Sequence, residues 1–189
     1  MCINNNIHKL KERLCKRLRS GEIREIANDA HADTDNTLRK DLYTLTLDKD
    51  PRVAYNALWC LTYMPARHSQ WFRAKHPEMI DHLLTCQNPS HRRLLLTLLE
   101  RTFDTKTPLR TDFLDYCLDT INSTLPYAQR ALCMKLAYAQ CRTIPELLSE
   151  LREVLELTEY GPTSPGIISA RRNIMRQMSR HDIESTIDH

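Results

Sequence analysis

The sequence predicts an all-α protein built from repeated helix pairs, and two regularities lead to this prediction. Prolines at positions 51, 89, 126 and 165 each begin an apolar-rich run, and they follow one another at steps of 38, 37 and 39 residues. Self-similarity at such a period is typical of helical repeat architectures. The tenth residue after each proline is apolar and forms a matching core position: Leu61, Leu99, Leu136 and Met175.

The composition also favours helices over sheets. Only three of the 189 residues are glycine, and both tight hairpins and phosphate-binding loops depend on glycine. We therefore expect no cofactor. The apolar runs are shorter than the roughly 18 residues that a membrane span needs, and the amino terminus lacks the apolar stretch of a secretion signal. These observations predict a cytoplasmic protein without membrane contact.

Residues 1–33 are expected to form capping helices in front of the repeats. Apolar residues at helical spacing predict an amphipathic helix over residues 7–19, which Gly21 ends. A shorter helix is predicted from Glu22 to Ala30. Because Lys and Arg crowd the polar side of the first helix, it is a second candidate basic patch, the alternative being a solvated cap.

Each later repeat is predicted to contain an A helix followed by a proline-led B helix. The B helices are expected at 51–64, 89–101, 126–142 and 165–180, and the A helices from Thr34 and at 77–86, 109–121 and 145–157. Residues 42–47 alternate like a strand, but their place in the repeat favours a helix. The residue before the proline is a side-chain acceptor suited to the N-cap in three repeats: Asp50, Asn88 and Ser164.

Two further segments complete the prediction for the chain. Trp71 and Phe72 lie in the longest connection between pairs and are expected to fold back onto the core as a short extra helix. Residues 34–180 are predicted to form a single repeat domain. Residues 181–189 have little to bury and are expected to be a frayed tail.

The pairing at about 38 residues, with D-P-R-V-A-x-x-A-L in the first B helix, resembles the HEAT repeat and its variant in the DNA-alkylation repair glycosylases. The resemblance covers about residues 34–180. It implies a right-handed α-α superhelix of four to five helix pairs, with A helices outside and B helices lining a concave face. It is specific for an architecture rather than for one activity, because such arrays serve many partners.

Charge separates between the two helix layers. The A segments 34–50, 76–87, 109–122 and 144–160 carry a net charge of −9 and the B segments +10, although the whole chain carries only +3. A basic inner face attracts an acidic macromolecule and speeds its encounter. The leading hypothesis is therefore a non-enzymatic helical scaffold whose B face binds nucleic acid or an acidic protein segment, two partners that the sequence does not separate.

Nine of the eleven B-helix cations fall into two groups. The resemblance implies an internal arginine ladder of Arg92, Arg130 and Arg171 with aspartate partners such as Asp50. Six others project away from the apolar arcs of their helices and are candidates for binding, the alternative being ordinary solvated charge. These candidates are Arg93, Arg101, Lys135, Arg172, Arg176 and Arg180.

A glycosylase-like enzyme, or a degenerate relative of one, is the alternative function. The resemblance implies tryptophans on the concave helices and a carboxylate that assists departure of the base. Trp59 lies on a B helix and is a candidate for contact with a partner or for packing, but Glu100 is the only acidic residue on the B helices. The motif is therefore not matched residue by residue. No histidine pair has the spacing of a metal site within one helix.

Overall fold

The computed structural model describes residues 3–65, 68–104, 107–158 and 164–187, with side chains described from residue 6 to residue 180 within these ranges. All regular structure in these ranges is helical. The helices are α1 (Ile3–Leu14), α2 (Ser20–Ala32), α3 (Thr37–Leu45), α4 (Pro51–Thr62), α5 (Ser69–Arg73), α6 (His76–Thr85), α7 (Pro89–Thr102), α8 (Thr111–Ile121), α9 (Tyr127–Cys141), α10 (Pro145–Leu157) and α11 (Pro165–Ile187).

The helices stack as a right-handed α-α superhelix. The A layer contains α3, α6, α8 and α10, and the B layer contains α4, α7, α9 and α11. Successive B helices contact one another, and α1 and α2 pack on α3 and α4 as a further pair. None of the described helices combines the length and apolar character that a bilayer crossing requires. The predicted fold class is thus confirmed, while the boundary at residue 33 stays a prediction.

Proline and a capping side chain start the B helices, as predicted. Pro51 and Pro89 are the first residues of α4 and α7. The Asp50 carboxylate accepts hydrogen bonds from the backbone N–H groups of residues 52 and 53, and Asn88 caps α7 in the same way. Ser164 Oγ accepts from the Ile167 N–H at 3.4 Å. Each such cap contributes about 1 kcal/mol by satisfying a helix-terminal donor.

Pro126 departs from this pattern. It occupies the N-cap position of α9, with φ −54° and ψ 138°, and the helix begins one residue later at Tyr127. The residue before it is Leu125, which has no side-chain acceptor with which to cap a helix that starts at the proline. The prediction that Pro126 is the first helical residue was therefore wrong by one position.

The first helix begins and ends earlier than predicted, and the second extends two residues further at both ends than the predicted 22–30. Helix α1 ends at Leu14 rather than at residue 19, because Asn56 of α4 donates from Nδ2 to the carbonyl oxygens of Leu14 and Lys16, at 2.8 and 3.1 Å. Gly21 does not end α1 but lies in the first turn of α2. A contact distant in sequence therefore decides where the first helix stops.

The apolar positions predicted from the period form the core. Leu61, Leu99 and Leu136 are completely buried, and Met175 packs against the same cluster from the partly exposed α11. Phe72 on the short helix α5 is 1% exposed, so this connection folds back onto the core as expected. The ambiguous stretch 42–47 lies largely in α3 and forms no strand.

The carboxyl-terminal helix continues beyond the predicted end of the repeats. Helix α11 runs to Ile187, so the backbone of residues 181–187 is helical where a frayed tail was expected. Residues 188 and 189 lie outside the described residues.

His76 at the start of α6 is a buried histidine, and its burial is expected to make the stability of the protein depend on pH. Its side chain is 2% exposed, Nε2 lies 2.8 Å from Thr102 Oγ1, and the ring stacks on Phe103 with centroids 5.3 Å apart. Burial lowers the pKa of His76 to about 4, partly offset by the negative charge of Asp104. The unfolded chain therefore binds a proton at a higher pH than the folded chain.

We expect the contribution of His76 to the free energy of unfolding to be complete above about pH 6.5 and to be lost progressively toward pH 4. Between pH 7.5 and pH 5, protonation of this single group in the unfolded chain lowers the free energy of unfolding by roughly 2 kcal/mol. Urea denaturation of the wild type and of His76→Gln at both pH values measures the difference. Equal pH dependence in the two proteins would contradict the assignment.

Candidate binding face on the B helices

A ladder of three arginines fixes the B helices α7, α9 and α11 each against the A helix before it. Arg130 donates from Nε to the carbonyl of Ile121, the last residue of α8, and Arg171 donates to Leu155 in the last turn of α10, both at 2.8 Å. Arg92 donates in the same way to Cys86, the C-cap of α6. Because the last carbonyls of a helix lack partners within the helix, each arginine satisfies one of them and complements the helix dipole.

The internal role expected for this ladder is confirmed, and the acceptor identified in each of the three repeats is a backbone carbonyl. Asp50, offered as an example of an aspartate partner, accepts instead from the first turn of its own helix. The difference arises because the backbone carbonyls at an A-helix end become neighbours of a B-helix side chain only after the two helices pack.

A second set of hydrogen bonds holds neighbouring B helices at a fixed offset. His91 Nε2 donates to the carbonyl of Pro51 at 3.1 Å, and Gln129 Nε2 donates to that of Pro89 at 3.0 Å. Both side chains are buried. The first residue of one B helix is thus joined to the first turn of the next, which sets these helices at matching heights.

The two sets of bonds define equivalent positions on the B helices. On α4, which has no ladder arginine, the ladder position is Ala54, three residues after Pro51 as Arg92 is three residues after Pro89. Positions one, five and nine residues after the ladder position lie roughly 160° to 240° around each helix from the centre of its buried arc. We call these twelve positions the B face. They are Tyr55, Trp59 and Tyr63 on α4, Arg93, Thr97 and Arg101 on α7, Ala131, Lys135 and Ala139 on α9, and Arg172, Arg176 and Arg180 on α11.

All seven residues predicted from the sequence as binding candidates fall on the B face. The six cations occupy half of its positions, and none of the twelve is acidic. Each of the twelve side chains is half-buried or exposed. The structure therefore brings together candidates that the sequence had placed on separate helices.

Two of the six cations are partly engaged by the protein itself. Arg101 donates from Nη2 to the Met64 carbonyl at 3.0 Å, beyond the end of α4. Lys135 forms an ion pair with Glu100 of α7 at 2.9 Å, with the lysine side chain 49% exposed. Exposed pairs of this kind contribute about 0 to 1 kcal/mol, so the lysine is readily redirected to another anion.

Four cations have no ion-pair partner among the side chains that the structure describes. Among the described residues, no carboxylate lies within ion-pairing distance of Arg93, Arg172, Arg176 or Arg180. Arginine presents five donors in a planar fork that matches carboxylate and phosphate groups. The B face therefore carries several unpaired groups suited to anions.

The aromatic residues on α4 were only partly predicted. Sequence reasoning singled out Trp59, whereas Tyr55 and Tyr63 occupy the equivalent positions one turn before and one turn after it. The ring centroids of Tyr55 and Trp59 are 5.9 Å apart. The three aromatic residues are four residues apart, as are the cations of α11, so the same spacing in the sequence identifies this row.

The second candidate patch, on α1, is more fully compensated. Arg13 lies 3.9 Å from Glu25 and 3.6 Å from Asp29, and Lys11 pairs with Asp48 at 2.6 Å. These acidic partners favour the interpretation of α1 as a solvated cap. Within the described ranges, no group of three His, Cys, Asp or Glu side chains is arranged to hold a metal ion.

Comparison with known proteins supports the architecture. The sequence matches the family described as HEAT repeat domain over residues 10–178. Neither the curated proteins nor the solved structures give a match. Since the matched region covers most of the 189 residues and all regular structure in the described ranges is helical, the chain belongs to the HEAT repeat domain family.

Proposed function

We propose that this protein is a HEAT-repeat scaffold that binds a polyanionic macromolecule, either nucleic acid or an acidic protein segment, on the B face. One observation carries the proposal: six cations and no acid occupy the equivalent outward positions of the B helices. Cations that were scattered for solubility would not follow the register of the ladder. A surface of one sign attracts an oppositely charged partner over about 8 to 10 Å at moderate salt.

The distribution of charge across the two layers supports the same proposal. The A layer is acidic, with Asp115, Asp119 and Glu150 lining a groove between α8 and α10. An anionic partner would be repelled by that side and attracted by the other. The negative charge of the A layer and the positive charge of the B face therefore both orient an approaching anionic partner.

The glycosylase alternative gains no support from the geometry of the B face. That reaction would need a carboxylate beside Trp59. Glu100 is paired with Lys135 between α7 and α9, whereas Trp59 lies on α4, on the other side of α7. We therefore propose binding without catalysis.

A salt series tests the proposal. We expect labelled single-stranded and duplex DNA, or polyglutamate, to bind at low salt, and binding to weaken steeply as salt rises. If four to six cations neutralise phosphates on a duplex, the log–log slope should lie between about −3.5 and −5.5. Fluorescence anisotropy gives the dissociation constants, and absence of binding to all three polyanions at about 20 mM salt would overturn the proposal.

A further inference from the structure

The aromatic row of α4 (Tyr55, Trp59 and Tyr63) lies at one edge of the B face. Tyr63 is 36% exposed, and the guanidinium of Arg24 lies 5.2 Å from its ring centroid. Tyr55 stacks on His91 with centroids 5.9 Å apart and an interplanar angle of 25°. Trp59 stands between the two tyrosines and is half-buried. Tyr55 therefore packs against the Trp59 ring, and part of the Trp59 side chain stays accessible.

The aromatic row adjoins the first cationic row. Helix α7 packs directly beside α4, and Arg101 reaches across to the Met64 carbonyl, next to Tyr63. On α9, the side chains flanking Lys135 along the face are Ala131 and Ala139, so little side-chain bulk stands between the arginines of α7 and those of α11. Aromatic rings, a cationic row, a shallow strip and a second cationic row thus follow one another across the B face.

We propose that the B face binds single-stranded nucleic acid, with a base stacked on Trp59 and the phosphates on the cations of α7, α9 and α11. This inference rests on the proposed function and specifies its partner. Proteins that bind single strands combine a cationic groove with aromatic side chains, because every base has a π-face. In a duplex the base faces are already stacked on one another, and an acidic protein segment offers carboxylates without such faces.

The two tryptophans of the chain allow a direct test. Trp71 lies on α5, where its ring packs edge-on against Tyr43 and Phe72 at 5.4 and 5.0 Å. In Trp71→Phe, the fluorescence of Trp59 reports on the B face alone. The probes are an oligothymidylate of about 15 nucleotides, which suits a single-strand site, an abasic oligonucleotide of equal length, and polyglutamate. The first two carry the same phosphates and differ only in the bases.

We expect oligothymidylate to quench Trp59 fluorescence and to bind about 5- to 150-fold more tightly than the abasic strand, which corresponds to the stacking of one base. Affinities of the variants at Trp59 are measured by fluorescence anisotropy of labelled strands, since these variants lack the Trp59 signal. Trp59→Ala should lower the affinity for oligothymidylate to that of the abasic strand. Binding of the abasic strand should be unchanged in that variant, which also shows that the variant is folded. Trp59→Phe should keep most of the preference, because a ring face remains.

The other outcomes separate the two proposals. Equal, salt-sensitive binding of both strands would overturn base stacking and leave the polyanion scaffold intact. Tighter binding of polyglutamate than of oligothymidylate would overturn the nucleic-acid partner in favour of an acidic protein. If none of the three probes binds, both proposals fail.

Discussion

Reversing the charge of Arg172 and Arg176 together is expected to weaken binding of single-stranded DNA by roughly 100-fold, because two lost contacts and two new repulsions cost about 3 kcal/mol. Both side chains are exposed on α11, and neither has a carboxylate within ion-pairing distance among the described residues. The variant Arg172→Glu/Arg176→Glu should therefore keep the melting temperature of the wild type. Anisotropy titration and thermal unfolding measure the two effects.

The matched control is Lys40→Glu/Lys49→Glu. Both lysines are exposed, at α3 and the turn after it, and their reversal changes the net charge of the chain by the same amount. We expect this variant to bind less than about 3-fold more weakly, since the A side is distant from the B face and salt screens the remaining field. Equal losses in both variants would show that net charge, rather than the B face, governs binding.

Replacing Arg130 by alanine is expected to produce the largest loss of stability among the B-helix cations. This side chain is 5% exposed, donates to the Ile121 carbonyl at 2.8 Å and lies 5.6 Å from the Tyr127 ring centroid. Its removal leaves a buried helix-terminal carbonyl unsatisfied and opens a cavity. The two effects together cost about 3 kcal/mol, and in a protein of this size the melting temperature should fall by roughly 6 to 12 °C.

Arg172→Ala is the control for this second prediction. It removes a side chain of the same type, an arginine, from an exposed position, where substitutions usually change stability by less than about 0.5 kcal/mol. Urea denaturation of both variants gives the comparison, and circular dichroism at low temperature checks that Arg130→Ala remains helical. If Arg130→Ala were as stable as Arg172→Ala, the ladder would have no structural role.

Helix starts, core positions and outward-facing residues were predictable from the sequence, because they depend on local chemistry. The prolines that follow Asp50 and Asn88 each begin a helix, because the capping side chain bonds only to the next few backbone N–H groups. The repeated apolar position at Leu61, Leu99 and Leu136 fixed the period, and the angle around each helix separated Arg93 from the ladder arginine Arg92. These features depend on neighbours within about three turns of one helix.

Other features were decided only when helices packed. The end of α1 depends on Asn56, whose partners lie 42 and 40 residues away in the sequence. The carbonyl acceptors of the arginine ladder and the pairing of Lys135 with Glu100 likewise join separate helices. The sequence by itself determined where most of the helices lie and which of their residues point outward, since these follow from local spacing. The tertiary structure decided which outward residues share one face, because that depends on the hydrogen bonds that set the height of each helix beside the next.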